Sequence, residues 1–147
     1  MIIYLDTSAL IKRYVREPGS DELNSLLSRA TLTGTSIITW AEMAAATAKA
    51  QRMSFITAVQ AQSAWKKFRN DWISLALIEI SKPLVIRAGD LAWDHGLQGY
   101  DSVHLASALM WQEALGEQIT LAAFDHRLWE TAKKVGLLIW PERLTQG

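Results

Sequence analysis

The chain has 147 residues, half of them apolar and a fifth charged, so it is long enough to fold as one domain around a sizeable core. Fifteen basic residues balance fifteen acidic ones, which excludes a polycation that binds nucleic acid through its overall charge. The absence of cysteine excludes disulfides, thiolate metal sites and cysteine nucleophiles.

The first residues give no targeting signal. The stretch from Met1 to Asp6 lacks a basic segment and reaches a charge after only a few apolar residues, unlike a secretory signal peptide. No apolar run approaches the ~20 residues that span a bilayer. We therefore expect a single domain over residues 1–147 that acts in the cytoplasm.

Short apolar runs alternate with longer helical stretches, a pattern typical of β-α units around a mostly parallel sheet. The first predicted strand, Ile2 to Leu5, is a continuous apolar run that ends at Asp6. Two helices are predicted next, over Ala9 to Arg16 and from Ser20 to about Arg29, separated by a proline-glycine turn. The β-branched stretch Thr35 to Thr39 predicts the second strand.

The middle of the chain predicts a helical hairpin. Residues Trp40 to Trp72 are rich in alanine, glutamine and lysine, and we expect two helices there, with Ser54 capping the second. A third strand is predicted over Leu75 to Ile80. A helix opened by Lys82 and Pro83 should then end near His95.

The last third repeats the alternation. A helix is predicted over Asp101 to Glu113, followed by a fourth strand over Ile119 to Phe124. A helix over His126 to Val135 should end at the left-handed glycine Gly136. Leu137 to Trp140 is predicted as the last strand. The pattern therefore indicates an α/β fold with five strands and about seven helices.

Four acidic residues stand where predicted helices begin: Asp6, Glu42, Asp101 and Asp125. Asp6, Glu42 and Asp125 follow three different predicted strands. Because parallel strands end at the same edge of an open sheet, these side chains should converge in one crevice. Asp101 opens a helix that follows another helix, so the pattern alone does not place it with the other three.

Such a group of carboxylates indicates a metal site. Unpaired carboxylates in one cleft repel one another and raise one another's pKa unless a cation neutralises them. Hard oxygen ligands without cysteine suit Mg²⁺ or Mn²⁺ better than Zn²⁺. Such ions activate water and stabilise the charge of a phosphodiester under attack, and two ions clamp the attacking and leaving oxygens.

Each acid taken alone has a structural interpretation as a helix cap, because exposed N–H groups and the helix dipole stabilise a carboxylate there. Thr39 and Glu42 match a capping box, with Glu42 returning to the Thr39 backbone. Asp101 and Asp125 are similarly placed to be N-caps. The metal interpretation therefore rests on the convergence of the four.

Four segments resemble the PIN-domain family, and in particular the VapC-type toxins of toxin-antitoxin pairs. They are Ile3–Leu10 (IYLDTSAL), Trp40–Glu42, Tyr100–Ala108 (YDSVHLASA) and Thr120–Leu128 (TLAAFDHRL). The resemblance implies a PIN-like three-layer α/β/α fold with a central, mostly parallel five-stranded sheet. It also implies an endoribonuclease that uses one or two Mg²⁺ or Mn²⁺ ions.

The resemblance assigns a role to each acid. Asp6 and Asp101 would be the principal metal ligands, Glu42 would support a second ion, and Asp125 would bind directly or through water. Ser8 would orient these ligands by hydrogen bonding, although Thr7 or Ser8 also suits a helix cap. Ala123 departs from many relatives, which carry a hydroxyl residue shortly before the fourth acid.

The resemblance also implies partners. A VapB-like antitoxin would bind across the helical hairpin, where Trp40, Met43 and Trp65 are candidates to line a groove, and the toxin would form a homodimer or a higher toxin-antitoxin assembly. Two alternatives stay open. One is a related carboxylate nuclease that acts on DNA, and the other is a PIN-like module that binds nucleic acid without cleaving it.

His104 lies one turn into the helix of Asp101. We interpret it as a buried histidine that hydrogen-bonds a neighbour, since a metal can supply the nucleophile without a histidine base. We expect Lys12, Arg13 and Arg16 to lie on a solvated helix face. Contact with RNA phosphates is the alternative.

Overall fold

The computed structural model describes residues 1–144, which form a parallel five-stranded sheet. Its strands are β1 (Ile2–Leu5), β2 (Leu32–Ser36), β3 (Ala76–Ile78), β4 (Thr120–Ala122) and β5 (Leu138–Trp140). Their spatial order is β3-β2-β1-β4-β5, and every neighbouring pair is parallel. The sheet is therefore wholly parallel, and β1, which carries Asp6 at its end, lies at its centre.

Seven α-helices connect the strands of this described region. In chain order they are α1 (Thr7–Leu10), α2 (Ser20–Ser28), α3 (Thr39–Arg52), α4 (Ala58–Asp71), α5 (Lys82–His95), α6 (Gly99–Leu115) and α7 (His126–Lys134). Short 3₁₀ turns at Ile11–Arg13 and Trp72–Ser74 follow α1 and α4. Within residues 1–144, no helix combines the length and apolarity needed to cross a membrane.

The core consists of two apolar layers on opposite faces of the sheet. Successive side chains of a strand point to opposite faces, so β1 contributes Tyr4 to one layer and Ile3 and Leu5 to the other. Tyr4 packs with α6 and α7, whereas Ile3 and Leu5 pack with α1 to α4. This arrangement confirms the expected three-layer α/β/α fold.

Strand β2 begins and ends three residues earlier than predicted, at Leu32 and Ser36. The prediction placed Gly34 outside the strand, because glycine generally weakens a strand. In the structure Gly34 lies inside β2 and pairs with Tyr4. Helix α3 consequently begins at Thr39.

Two helix boundaries also differ from the prediction. Helix α1 starts at Thr7 and gives way to a 3₁₀ turn after Leu10, instead of running to Arg16. Helix α4 is capped by Thr57, whose capping box includes the Gln60 side chain, and not by Ser54. Ser54 instead occupies a turn with φ of 59°. The predicted break between the two helices is present, but the residue that caps α4 is Thr57, three residues after Ser54.

Gly34 is required by the packing of Trp111. A Cβ at position 34 would lie 2.6 Å and 2.9 Å from Trp111 ring atoms and 3.0 Å from the Ala76 carbonyl oxygen. We expect Gly34→Ala to lower the free energy of unfolding by about 1–3 kcal/mol, because the ring must shift in a packed layer. Urea unfolding checks this, with Gly89→Ala as control, since nothing lies within 4 Å of the Cβ that alanine adds there. Equal losses in the two variants would contradict it.

Candidate functional site

Asp6 lies at the carboxyl end of the central strand and caps α1. Its Oδ1 accepts a hydrogen bond of 2.9 Å from the Ala9 backbone N–H. The Ser8 hydroxyl lies 2.8 Å from both carboxylate oxygens and donates to them. Only 3% of Asp6 is exposed. The orientation of the carboxylate is therefore fixed by local hydrogen bonds from the first turn of α1.

Ser8 also joins two strand ends. In addition to donating to Asp6, its Oγ accepts a 3.0 Å hydrogen bond from the backbone N–H of Phe124, which lies in the loop after β4. The Ser8 side chain therefore holds the end of β4 against the end of β1. The orienting contact expected of Ser8 is present, whereas Asp6, not Thr7 or Ser8, caps α1.

Glu42 lies in the first turn of α3 and is half-buried. Its Oε1 accepts hydrogen bonds from Thr7 Oγ1 at 2.8 Å and from His104 Nε2 at 2.6 Å. The capping-box alternative is wrong, because the N-cap of α3 is Ile38 and no side chain caps it. Glu42 instead turns toward α1 and α6, whose residues satisfy its carboxylate.

Asp101 and Asp125 differ in how they are held. Asp101 lies in the first turn of α6 but does not cap it; the N-cap is Gln98, without a side-chain hydrogen bond. Asp125 is the N-cap of α7 and accepts a 2.9 Å hydrogen bond from the Leu128 N–H. The cap interpretation is therefore wrong for Asp101 and correct for Asp125.

The electrostatics of Asp6 and Asp101 show that the acids influence one another. The pKa of Asp6 is raised to about 6, mainly by burial and in smaller part by the Asp101 charge, while His104, Ser8 and the Ala9 N–H oppose the rise. Burial also raises the pKa of Asp101, and the charges of Asp125 and Glu42 add to this, with His104 opposing them. Asp101 is therefore the acid that couples to each of the other three.

The pKa of Glu42 shifts the other way. Burial raises it, but the hydrogen bond and charge of His104 and the Thr7 hydroxyl together outweigh burial, so the pKa lies below its usual value. Glu42 is accordingly held in its ionised form by its neighbours. The site thus combines one stabilised carboxylate with two whose ionisation is disfavoured.

The site has too little positive charge for its acids. In the described part of the chain, no lysine or arginine forms an ion pair with the four acids, and the one ion-pair contact among them joins Glu42 to His104. Asp101 receives no side-chain hydrogen bond that lowers its pKa. The donor set, hard carboxylate oxygens with uncompensated charge, fits Mg²⁺ or Mn²⁺.

The carboxylates are not drawn together in this conformation. Across residues 1–144, no three His, Asp or Glu side chains are grouped closely enough to hold a metal ion as they stand. Since Asp101 is only half-buried and Asp125 is exposed, small rotations of these two side chains are the movements open to the site.

Sequence reasoning identified the acids but missed the residues that hold them. His104 is buried and hydrogen-bonds neighbours, which confirms that interpretation, but its partners Tyr4 and Glu42 were not foreseen. Thr7 was considered only as a cap, whereas it donates to Glu42. The available signal was spacing, because residues three apart on a helix share a face and His104 follows Asp101 by three.

The basic residues near the site are engaged elsewhere. Lys12 pairs with Glu17 at 2.9 Å and lies over the Phe124 ring, and Arg16 pairs with Asp21. Arg13 contacts Asp71 at 3.6 Å. These contacts account for the three residues structurally.

The helical hairpin carries an apolar groove of about 320 Å³ between α3 and α4. Ala44, Ala48 and Ala61 line it, with Trp65 at one side. Of the other residues expected there, Met43 is wholly buried in the core and Trp40 packs against Trp65 and Trp72. Thr47, Gln51 and Gln62 complete its lining. The prediction that Trp65 lines the groove is confirmed, and the prediction that Met43 and Trp40 line it was wrong.

Comparison with known proteins gives one family match, to the PIN domain, over residues 3–134, a span that includes all four acids. Two relatives from Mycobacterium tuberculosis are named Ribonuclease VapC45 (strain CDC 1551 / Oshkosh) and Ribonuclease VapC49 (strain ATCC 25618 / H37Rv). Each is 31% identical over 144 residues, covering 97% of this chain and 97% of the relative.

Two solved structures share the fold. One is VapBC2 from Rickettsia felis bound to a DNA fragment from their promoter, with a TM-score of 0.62 and 18% identity, covering 95% of this chain and 97% of that chain. The other is FitAcB from Neisseria gonorrhoeae, with a TM-score of 0.64 and 17% identity, covering 93% of this chain and 95% of that chain.

Proposed function

This chain belongs to the PIN domain family, and from that membership we propose that it is a Mg²⁺- or Mn²⁺-dependent endoribonuclease, the toxin of a VapBC-type pair. One nuclease domain over residues 1–147 would act in the cytoplasm. The observation that carries the proposal is the charge imbalance at the sheet edge. The Asp101 charge raises the pKa of Asp6, the Asp125 and Glu42 charges raise that of Asp101, and neither Asp6 nor Asp101 has a lysine or arginine partner in the described region.

Each acid has a role that follows from how it is held. Asp6 is the fixed ligand, oriented by Ser8 and the Ala9 N–H. Asp101 is the second principal ligand, because no described residue holds its carboxylate by a hydrogen bond that shifts its pKa and because its charge couples to the other acids. Glu42 serves a second ion. Asp125 keeps its bond to Leu128 and completes the site directly or through water.

The metal would supply the chemistry that the side chains lack. A bound divalent ion acts as a Lewis acid toward the phosphodiester and makes water nucleophilic at neutral pH. The contribution of this chain is to orient the ligands and to oppose the effect of burial on their ionisation. Ser8 and Thr7 do so by donating hydrogen bonds to Asp6 and Glu42, respectively.

The substrate we propose is RNA, because the relatives at 31% identity are named ribonucleases. The test compares single-stranded RNA, structured RNA and single-stranded DNA of the same sequence, with chelator-stripped protein before and after Mg²⁺ or Mn²⁺ is added. We expect metal-dependent cleavage within the RNA strands. Cleavage of DNA at an equal rate favours the DNA nuclease alternative, and metal binding without cleavage of any strand favours the non-catalytic module.

The partner we propose is a VapB-like antitoxin, whose amphipathic helix would lie in the groove between α3 and α4. Structures that share this fold include toxin-antitoxin complexes, and the groove here is apolar and shallow, as a helix face requires. The toxin would also pair as a homodimer within the complex or form a higher toxin-antitoxin assembly.

A charge placed in the groove should disrupt this complex. We expect Ala48→Glu to weaken binding of a VapB-like antitoxin at least about tenfold, because the carboxylate would be desolvated against an apolar helix face. Calorimetric titration measures it. Ala45→Glu is the matched control, since Ala45 is exposed on the same helix but does not line the groove. Equal affinities of the two variants would place the antitoxin elsewhere.

A further inference from the structure

A chain of hydrogen bonds connects the central strand to Glu42 through His104. The Tyr4 hydroxyl lies 2.7 Å from His104 Nδ1, and His104 Nε2 lies 2.6 Å from Glu42 Oε1. Tyr4 is fully buried and His104 is 2% exposed. A ring held at both nitrogens inside the core has one orientation, so it fixes the groups at its two ends relative to each other.

The direction of these bonds follows from Glu42. An ionised carboxylate only accepts hydrogen bonds, so Nε2 must carry the proton that it donates to Oε1. The Tyr4 hydroxyl, which can donate or accept, completes the hydrogen bonding of the ring at Nδ1. Tyr4 and Glu42 together therefore hold the ring at both nitrogens, with Nε2–H pointing at Glu42.

The geometry points to His104 as a positioning residue for Glu42, with Tyr4 holding the far nitrogen of its ring. The inference rests on the proposed function, in which Glu42 is a metal ligand. Both hydrogen bonds to Glu42, from His104 and from Thr7, end on Oε1. That leaves Oε2 without a hydrogen bond from the described residues and available to a cation.

The sequence positions of Tyr4, Thr7 and His104 explain why these hydrogen bonds would matter for Glu42. Tyr4 precedes Asp6 by two residues on β1, Thr7 follows Asp6, and His104 follows Asp101 by one helical turn. Glu42, on α3, is thus tied to the two elements that carry Asp6 and Asp101. The hydrogen bonds set its distance from those acids, which helix packing alone does not fix.

The experiment measures Mn²⁺ affinity by calorimetry in chelator-stripped wild-type protein and in His104→Leu, His104→Gln and Tyr4→Phe. Loss of an outer partner of a metal ligand commonly weakens metal affinity about 10–100-fold, and we expect that for His104→Leu. His104→Gln should recover most of the affinity, since its amide N–H replaces Nε2–H. Tyr4→Phe should give a smaller loss, because the ring is then no longer held at Nδ1 while Nε2 keeps its bond to Glu42.

Tyr14→Phe is the matched control. It removes a tyrosine hydroxyl that donates 2.8 Å to the carboxylate of Asp71, outside this network, and should leave Mn²⁺ affinity unchanged. Thermal melts separate folding from positioning: a purely structural His104 would lower the melting temperature and leave the Mn²⁺ affinity of the folded protein unchanged. Wild-type affinity in folded His104→Leu, or in Tyr4→Phe if the leucine variant does not fold, overturns the inference.

A metal-free readout keeps this result separate from the proposed function. ¹⁵N NMR of His104 in the wild-type protein should show a proton on Nε2, and Tyr4→Phe should shift the Nδ1 resonance, because that nitrogen loses its hydrogen bond. Wild-type protein without a proton on Nε2 overturns the hydrogen-bond relay itself. If the Tyr4–His104–Glu42 hydrogen bonds are present but the wild-type protein neither binds Mn²⁺ nor cleaves RNA, the proposed function is overturned. The role given to His104 is then overturned with it.

Discussion

Replacing Asp6 by asparagine should lower the rate of RNA cleavage at least about a hundredfold in a protein that still folds. Even outer partners of metal ligands commonly contribute ten- to hundredfold, and Asp6 is proposed as a ligand itself. Folding should survive because asparagine is as good an N-cap as aspartate and keeps an oxygen for the Ala9 N–H. Initial rates on a labelled RNA, with saturating Mg²⁺ or Mn²⁺, measure the effect.

Asp21→Asn is the control for this experiment. Asp21 is also in the first turn of a helix, but it is exposed and paired with Arg16 at 2.6 Å, away from the sheet edge. We expect its cleavage rate to equal that of the wild type. Full activity in Asp6→Asn would mean that the observed cleavage does not come from this site.

The same substitution should stabilise the metal-free protein at neutral pH. The pKa of Asp6 is about 6 in the fold against an ordinary value of 3.8, so ionisation there opposes folding. The difference of about two units corresponds to up to about 3 kcal/mol, or several degrees in melting temperature. Melts in chelator should therefore show Asp6→Asn above the wild type.

The pH dependence of this stabilisation follows from the pKa values of Asp6 in the unfolded and folded states. Below pH 3.8 the carboxyl is protonated in both the folded and unfolded states, and the variant has no advantage. As pH rises, the unfolded chain ionises first, and the stability of the wild type falls until the folded carboxyl ionises near 6. The advantage of Asp6→Asn should thus grow between these values and stay constant above them. An advantage independent of pH, or none at pH 8, would contradict the account.

Much of the fold is readable from the sequence because strand and helix signals are local. Asp6 directly follows β1 as expected, whereas β4 ends at Ala122, two residues short of the predicted end, so that Asp125 follows it after a short loop. The places of both acids at one edge follow from the parallel sheet. Strand β2 was misplaced because the signal against a strand at Gly34 is local, whereas the reason for glycine there is the ring of Trp111. That contact is visible only after folding.

The site was only partly predictable for the same reason. Glu42 matches a capping box locally, but tertiary hydrogen bonds from Thr7 and from His104, 62 residues away, determine its orientation. Asp101 could not be placed from strand order, because α6 follows another helix and its packing against α5 brings it to the edge. The acidic residues of the site were predictable from the sequence, whereas the residues that hydrogen-bond to them were not.

The measurement that tests the central claim most directly is anomalous diffraction from crystals of the wild-type protein soaked in Mn²⁺. We predict manganese in coordination contact with both Asp6 and Asp101, with Glu42 Oε2 facing the same ion or a second one, and no such peak in Asp101→Asn. Manganese bound away from these acids, or an unchanged peak in Asp101→Asn, would contradict the account.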